Sequence, residues 1–176
     1  MARNNRMMET RWKPNVTVAA VIEREGRFLL VEEETSDGLR LNNPAGHLEP
    51  GESPQEACAR EVLEETAHAF APTALLGVYL SRFRHVSGQD ITYLRLAFCG
   101  ELGARDALRR LDAGIVRTVW LSADEIRSSR ERHRSPLVLR CIDDYQSGVR
   151  HPLSTLYTHE SIWREPRPPQ RQPAGK

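Results

Sequence analysis

A chain of 176 residues is one domain's worth of sequence, long enough to bury a substantial core. Hydrophobic residues make up 39% and charged residues 28%, the balance of a globular protein, and the formal net charge is +1. That near-neutral balance excludes the broad basic footprint of a nucleic-acid binder, so an anionic ligand must meet a local positive site or a metal. The three cysteines, Cys58, Cys99 and Cys141, lack the spacing of a metal-binding pair, and their odd, sparse count suits a reducing compartment. The N-terminal residues hold no apolar signal segment, and no apolar run approaches the ~20 residues that span a membrane. A cytoplasmic protein with neither a membrane nor a nucleic-acid polymer as partner is expected.

Residues 1–13 are polar and read as a flexible extension. Val16 to Ile22 is apolar and β-branched, the pattern of a buried strand, and after a turn at Glu25 and Gly26 a second strand runs from Phe28 to Glu32. Ser36 to Pro44 reads as a loop. Ser53 caps a helix that continues to Thr66. Strands are expected at Leu76 to Phe83 and Thr92 to Cys99, joined by a turn at Ser87 and Gly88, and a short one at Val116 to Leu121. Ser122 and Glu125 form the S-x-x-E capping pattern of a short helix. Ser135 and Pro136 begin another, ending near Gln146 with Gly148 beyond it. Residues 165–176 hold Pro166, Pro168, Pro169 and Pro173 among Arg and Gln, the composition of a disordered tail. One domain over residues 14–164 is therefore expected, with strands and helices mixed as in an α/β fold that has helices on both faces of a mixed sheet.

The chemistry concentrates between Gly46 and His68. In the helix, Glu61, Glu64 and Glu65 fall at i, i+3 and i+4 and share one face, with Glu52 just ahead. Like charges so placed repel. On an arbitrary helix they are a solvated face, but a hard divalent cation would reward them, because Mg²⁺ prefers carboxylate oxygens, waters and phosphates. Arg60, four residues before Glu64, offsets part of the charge. A carboxylate left partly free can serve as general base.

The spacing Gly46, five residues, Glu52, seven residues, then Arg60-Glu61-Val62-x-Glu64-Glu65 resembles the signature of the Nudix hydrolases. The resemblance extends over most of the chain and is greatest to the NudJ group of phosphatases, through Pro14 to Ala19, Asn43 to Glu49, Tyr93-Leu94-Arg95, Val119 to Ser122, Arg134 to Val138 and Tyr145 to Gly148. It implies the Nudix fold, an α/β/α sandwich around a mixed sheet, and hydrolysis of phosphoanhydride bonds with Mg²⁺, for which Mn²⁺ can substitute. For this group it implies small phosphorylated substrates: nucleoside di- and triphosphates and thiamine-type diphosphates. By position, it implies that Glu61, Glu64 and Glu65 hold metal and activate water, with Glu61 first as base, and that Gly46 lends a carbonyl to the metal. Arg60 and Glu52 orient the helix and its carboxylates. Asp112, in the loop before the Trp120 strand, is a candidate further metal ligand as well as an ordinary turn residue.

Arg95 interrupts an apolar run and is a candidate for meeting phosphates in a cleft. His47 is a second candidate for substrate contact, and Trp120 fits either core or a stacking platform. His85, His133, His151 and His159 show no metal-ligand spacing. Ala67 and His68 depart from the glycine and aliphatic residue that usually end the family's signature, which bears on how the helix stops and not on the carboxylates. Other readings remain open: a Nudix pyrophosphatase for oxidised nucleotides or ADP-ribose, and a non-catalytic nucleotide-sensing module.

Overall fold

The structure, a computed structural model, describes residues 11–84, 88 and 90–163. The expected N-terminal extension falls mostly outside these residues and the expected tail entirely so, as do His85 and the Ser87 half of the expected turn. In chain order the strands and helices are β1 (Asn15–Val21), β2 (Glu23–Arg24), β3 (Arg27–Thr35), β4 (Gly38–Asn42), β5 (Ala45–His47), α1 (Pro54–Thr66), β6 (His68–Arg84), β7 (Asp90–Arg105), β8 (Ile115–Ser122), α2 (Ala123–Ser128) and α3 (Leu137–Gln146). No described helix is long and apolar enough to cross a membrane.

Among the described residues, two four-stranded sheets form. The first runs β5-β1-β7-β6 and is mixed, since β1 pairs parallel with β7 and antiparallel with β5. The second is antiparallel around β3, which β8 joins along one edge while β2 and β4 join the other. The continuous apolar run of β1 is buried on both faces, as a central strand between helices must be. Val18, Ala20 and Ile22 pack with Leu29, Leu96 and Phe98 beneath Ala57, Cys58 and Val62 of α1. The alternate residues Ala19 and Val21 join Phe28, Leu30 and Ala97 against Ile126 of α2 and Val138, Cys141 and Ile142 of α3. The result is the α/β/α layering that the sequence predicts, with α1 on one face and α2 and α3 on the other.

The stretch read as a loop, Ser36 to Pro44, instead contains β4, and β5 follows it directly. Gly38, at φ +91°, turns the chain out of β3 so that β4 pairs back on it from Thr35↔Gly38 to Val31↔Asn42. Strands this short, broken by glycine and proline, give no periodicity to read. β6 and β7 outrun their expected limits because their outer parts have no continuous apolar run, Phe70 and Leu75 being the buried residues among small or polar, more exposed ones, while their pairing continues through bulges near Phe70, Ala74 and Gly77.

Helix α1 has a full capping box: Ser53 Oγ accepts from the Glu56 N–H at 3.2 Å, and Glu56 Oε2 accepts from the Ser53 N–H at 2.7 Å. Pro54 occupies the first turn. The other end stops at Ala67, which takes a left-handed conformation at φ 59°, ψ 20° while its N–H donates to Leu63 O. A Cβ in that region costs roughly 1–2 kcal/mol, but the Ala67 side chain is also fully buried, and a buried methyl contributes about 0.8 kcal/mol. The terms oppose, with strain the larger. Ala67→Gly should therefore stabilise the protein by less than about 1 kcal/mol, read as a small rise in melting temperature; a fall would show that packing outweighs strain.

Candidate active site

Arg60 is the hub of the carboxylate cluster. Its guanidinium grips Glu52 with two bonds, Nε to Oε2 at 2.9 Å and Nη2 to Oε1 at 2.8 Å. Nη1 donates to Glu61 Oε1 at 2.8 Å and to Glu64 Oε2 at 2.9 Å, and Nη2 also reaches the His47 carbonyl at 2.9 Å. Only a planar, forked cation can serve a carboxylate pairwise and still bridge two others. The Glu52 bonds are the largest of the influences that hold Arg60 charged, and in return Arg60 holds the Glu52 carboxyl below its ordinary range.

Glu61 and Glu65 are each only 9% exposed. Burial raises the Glu61 carboxyl against the pull of Arg60, with Glu64 and Asp112 adding to the rise. Burial pushes Glu65 up to about 8; a hydrogen bond from the Ala45 N–H at 2.8 Å opposes the rise, and the charges of Glu61, Glu33 and Asp112 add to it. Gly46, paired with Val18 of β1, has no room for a side chain: a Cβ there would collide with the Glu61 carboxylate. Strand β5 therefore lies directly against the acidic face of α1. The loop after β7 closes the far side, where the Asp112 N–H donates to Glu64 O at 3.0 Å.

The structure thus gathers Gly46, Glu52, Arg60, Glu61, Glu64, Glu65 and Asp112 in one place. The donor set suits a divalent cation: hard oxygens, two of them buried, with more negative charge than one arginine offsets. In the arrangement seen, Glu61 and Glu64 converge on Arg60, and among the described residues no three acidic, histidine or cysteine side chains converge as ligands of one ion.

Beside this cluster opens a cleft of about 820 Å³, lined by Ala45, Gly46 and His47 of β5. Arg95 of β7 lines it, as does the wall from Arg134 to Leu137 with Leu139. His47 is exposed there, its ring 6.3 Å from that of Tyr93. Arg82 stands on the rim, paired with Asp90 at 3.6 Å. Trp120 is not in the cleft; it packs against the α1-side core with Arg24 over its ring at 5.5 Å. Sequence reasoning missed Thr17, Glu33 and Asn42, which line the cleft. Glu33 lies in a run of three glutamates after the apolar stretch of β3 and carries no distinguishing signal, and Asn42 lay in the stretch taken for a loop.

The raised Glu65 carboxyl has a consequence for stability in metal-free buffer. Its folded-state value lies above the ordinary 4.5, so the fold favours the neutral acid. The stabilisation is complete below that ordinary value and is lost as pH rises through about 8. In EDTA, Glu65→Gln should melt above the wild type at pH 8, with the gap closing towards pH 5 (thermal melts across that range check it). A variant that melts lower at pH 8 would contradict the assignment.

Comparison with known proteins places this geometry. The NUDIX domain model matches residues 12–140. The chain is 39% identical over 145 residues to Phosphatase NudJ of Escherichia coli K12, covering 82% of this chain and 92% of that protein. A NUDIX hydrolase from Nitrosomonas europaea superposes with a TM-score of 0.77 at 53% identity, over 84% of this chain and 98% of that one. The MutT protein of Methanosarcina mazei Go1 follows at a TM-score of 0.60 and 26% identity, over 77% and 96% of the two chains. Nudix hydrolases generally use divalent metal ions, in keeping with the hard oxygen donors gathered around Arg60. The fold, the acidic helix and these similarities agree: the chain belongs to the Nudix hydrolase family.

Proposed function

We propose that this Nudix hydrolase uses Mg²⁺ to cleave phosphoanhydride bonds in nucleoside di- and triphosphates and in thiamine-type diphosphates. The observation that carries the reading is the pair of buried carboxylates, Glu61 and Glu65, held against β5 at the edge of an 820 Å³ cleft. The 39% identity to a protein described as a phosphatase supports the direction of the assignment. A cytoplasmic setting agrees with three free, buried cysteines.

In this reading Glu61, Glu64 and Glu65 hold the metal, with the Gly46 carbonyl and Asp112 as further oxygen donors. A divalent cation held there would supply positive charge to offset the diphosphate and would make the attacking water easier to ionise. Glu61 takes the proton of the attacking water, a role suited to a carboxyl raised by burial. Arg60 positions the carboxylates through its bonds to Glu61 and Glu64, and Glu52 fixes Arg60 in turn. His47 lies where it can contact a bound substrate.

Two outcomes follow for the chemistry. Activity should vanish in EDTA and return with Mg²⁺ or Mn²⁺; robust turnover in metal-free buffer would end the mechanism. Glu64→Gln keeps size and removes charge, so it should weaken Mg²⁺ binding and lower kcat by roughly a hundredfold or more while the melting temperature changes little. Near-normal kinetics would remove Glu64 from the metal-binding set.

Substrate choice is a separate matter, because the diphosphate and its metal are common to every substrate, and discrimination arises elsewhere in the cleft. With a nucleoside triphosphate, thiamine diphosphate and ADP-ribose competing at equal concentration, either of the first two should be consumed faster than ADP-ribose. Preferred turnover of ADP-ribose would overturn the substrate assignment and leave the metal chemistry standing.

A further inference from the structure

Glu32 of β3 is only 4% exposed, and two arginines from distant segments hold its carboxylate. Arg117 of β8, its register partner, donates from Nε to Oε2 at 2.6 Å, and Arg132 donates from Nη2 to Oε1. The hydrogen bond from Arg117 leads the influences that keep the carboxyl below its ordinary range against the effect of burial, and the charges of both arginines add to it. The two arginines serve different segments. β3 and β8 already share a ladder from Arg27↔Ser122 to Glu33↔Ile115, so Arg117 adds little to their register. Arg132 ends a 3₁₀ turn, Arg130–Arg132, that has no side-chain cap, and a turn this short holds itself poorly. The stretch after it meets the same sheet through an isolated bridge, Leu41↔His133, beside which the Arg134 N–H donates to Leu41 O at 2.8 Å. Arg40 Nη1 also reaches Glu131 O at 3.3 Å, and His133 Nε2 meets Ile126 O at 3.0 Å.

That stretch is a wall of the cleft: Arg130, His133, Arg134 and Leu137 line it, whereas Glu32 and Arg132 do not. Arg132 stands one residue before His133 and two before Arg134, so where its guanidinium is anchored fixes where the wall begins. The anchor is a buried carboxylate on a central strand, gripped by charge-assisted bonds, the firmest support that a short turn can have. A binding wall left to a loose support loses affinity even when every contacting residue is present. We propose that Glu32 is a positioning residue: through Arg132 it sets the wall of the cleft over residues 130–137, and with it the affinity for substrate, without touching the substrate. This rests on the hydrolase reading only in taking the cleft as the substrate's.

The test compares the two arms of the clamp in the full-length protein with Mg²⁺. Arg132→Gln and Arg117→Gln each remove one arginine from Glu32, and Glu32→Gln removes the charge that both share. Amide hydrogen exchange at Arg134, whose N–H donates to Leu41 O, reports on the wall, and exchange at Leu29, whose N–H donates to Ile22 O, reports on the sheet. KM and kcat are measured with ATP and with thiamine diphosphate. Arg132→Gln and Glu32→Gln should speed exchange at Arg134 by roughly tenfold or more relative to Leu29. Both should raise KM by roughly fivefold or more on whichever substrate is turned over, with kcat within about twofold of wild type. Arg117→Gln should leave all three quantities within about twofold. A merely structural clamp would affect Arg117→Gln and Arg132→Gln alike, and that result overturns the proposal, as does unchanged exchange at Arg134 in Arg132→Gln, an unchanged KM, or a fall in kcat in place of the rise in KM. If Arg132→Gln or Glu32→Gln does not fold, Arg132→Lys, which keeps the charge and loses the planar fork, decides by the same readouts. Absent turnover of both substrates by the wild type would count against the hydrolase reading, and exchange at Arg134 would still decide whether Glu32 fixes the wall.

Discussion

Glu61 and Glu64, neighbours on one helix face, repel one another unless something holds them, and here Arg60 does, while the buried Glu65 behind them accepts the Ala45 N–H. The forked Arg60 guanidinium binds Glu52 pairwise, bridges Glu61 and Glu64, and reaches the His47 carbonyl, so one side chain links the loop before α1, two turns of the helix and strand β5. A lysine could not hold this arrangement, because a point charge offers no planar fork. Everything else about the site depends on α1 lying close against β5. That closeness requires glycine at position 46, places the Ala45 N–H on Glu65, and sets the carboxylates at the border of the cleft.

The fold serves this contact. β1 is buried on both faces, anchoring α1 on one side and α2 and α3 on the other, and it carries β5 on its edge. A capping box fixes the start of α1, and Ala67 ends it in a left-handed conformation from which the chain enters β6. The Ala67 carbonyl then accepts the Asp106 N–H at 2.7 Å, and Glu64 O accepts the Asp112 N–H, so the end of the helix also organises the loop that carries Asp112.

The parts legible in the sequence were those whose physics is local. Ser53, Pro54 and Glu56 announce a helix start within four residues, the i, i+3, i+4 spacing of Glu61, Glu64 and Glu65 fixes their common face, and Ala67 stands where a helix end calls for glycine. The apolar run of β1 read as a buried strand, and the structure buries it on both faces. What stayed hidden depends on partners far away in the chain. β4 and β5 exist because β3 and β1 offer them edges, and their own residues, interrupted by Gly38 and Pro44, carry no period. Thr17, Glu33 and Asn42 are ordinary polar residues in sequence and gain meaning only where their strands meet Arg95 around one cleft. The proton balance of Glu65 was equally invisible, since it arises from burial against β5 and from the charges of Glu33 and Asp112.

If the buried carboxylates of α1 hold a divalent cation, as proposed, the metal displaces a proton from them on binding. Titration calorimetry of Mg²⁺ at pH 7, in several buffers of different ionisation enthalpy, counts the protons released on binding. With the Glu65 carboxyl held up to about 8 in the free protein, binding should release close to one proton, and Glu65→Gln should abolish that release. Mg²⁺ binding with no proton released, or with a release unchanged in Glu65→Gln, would show that Glu65 gives up no proton to the metal.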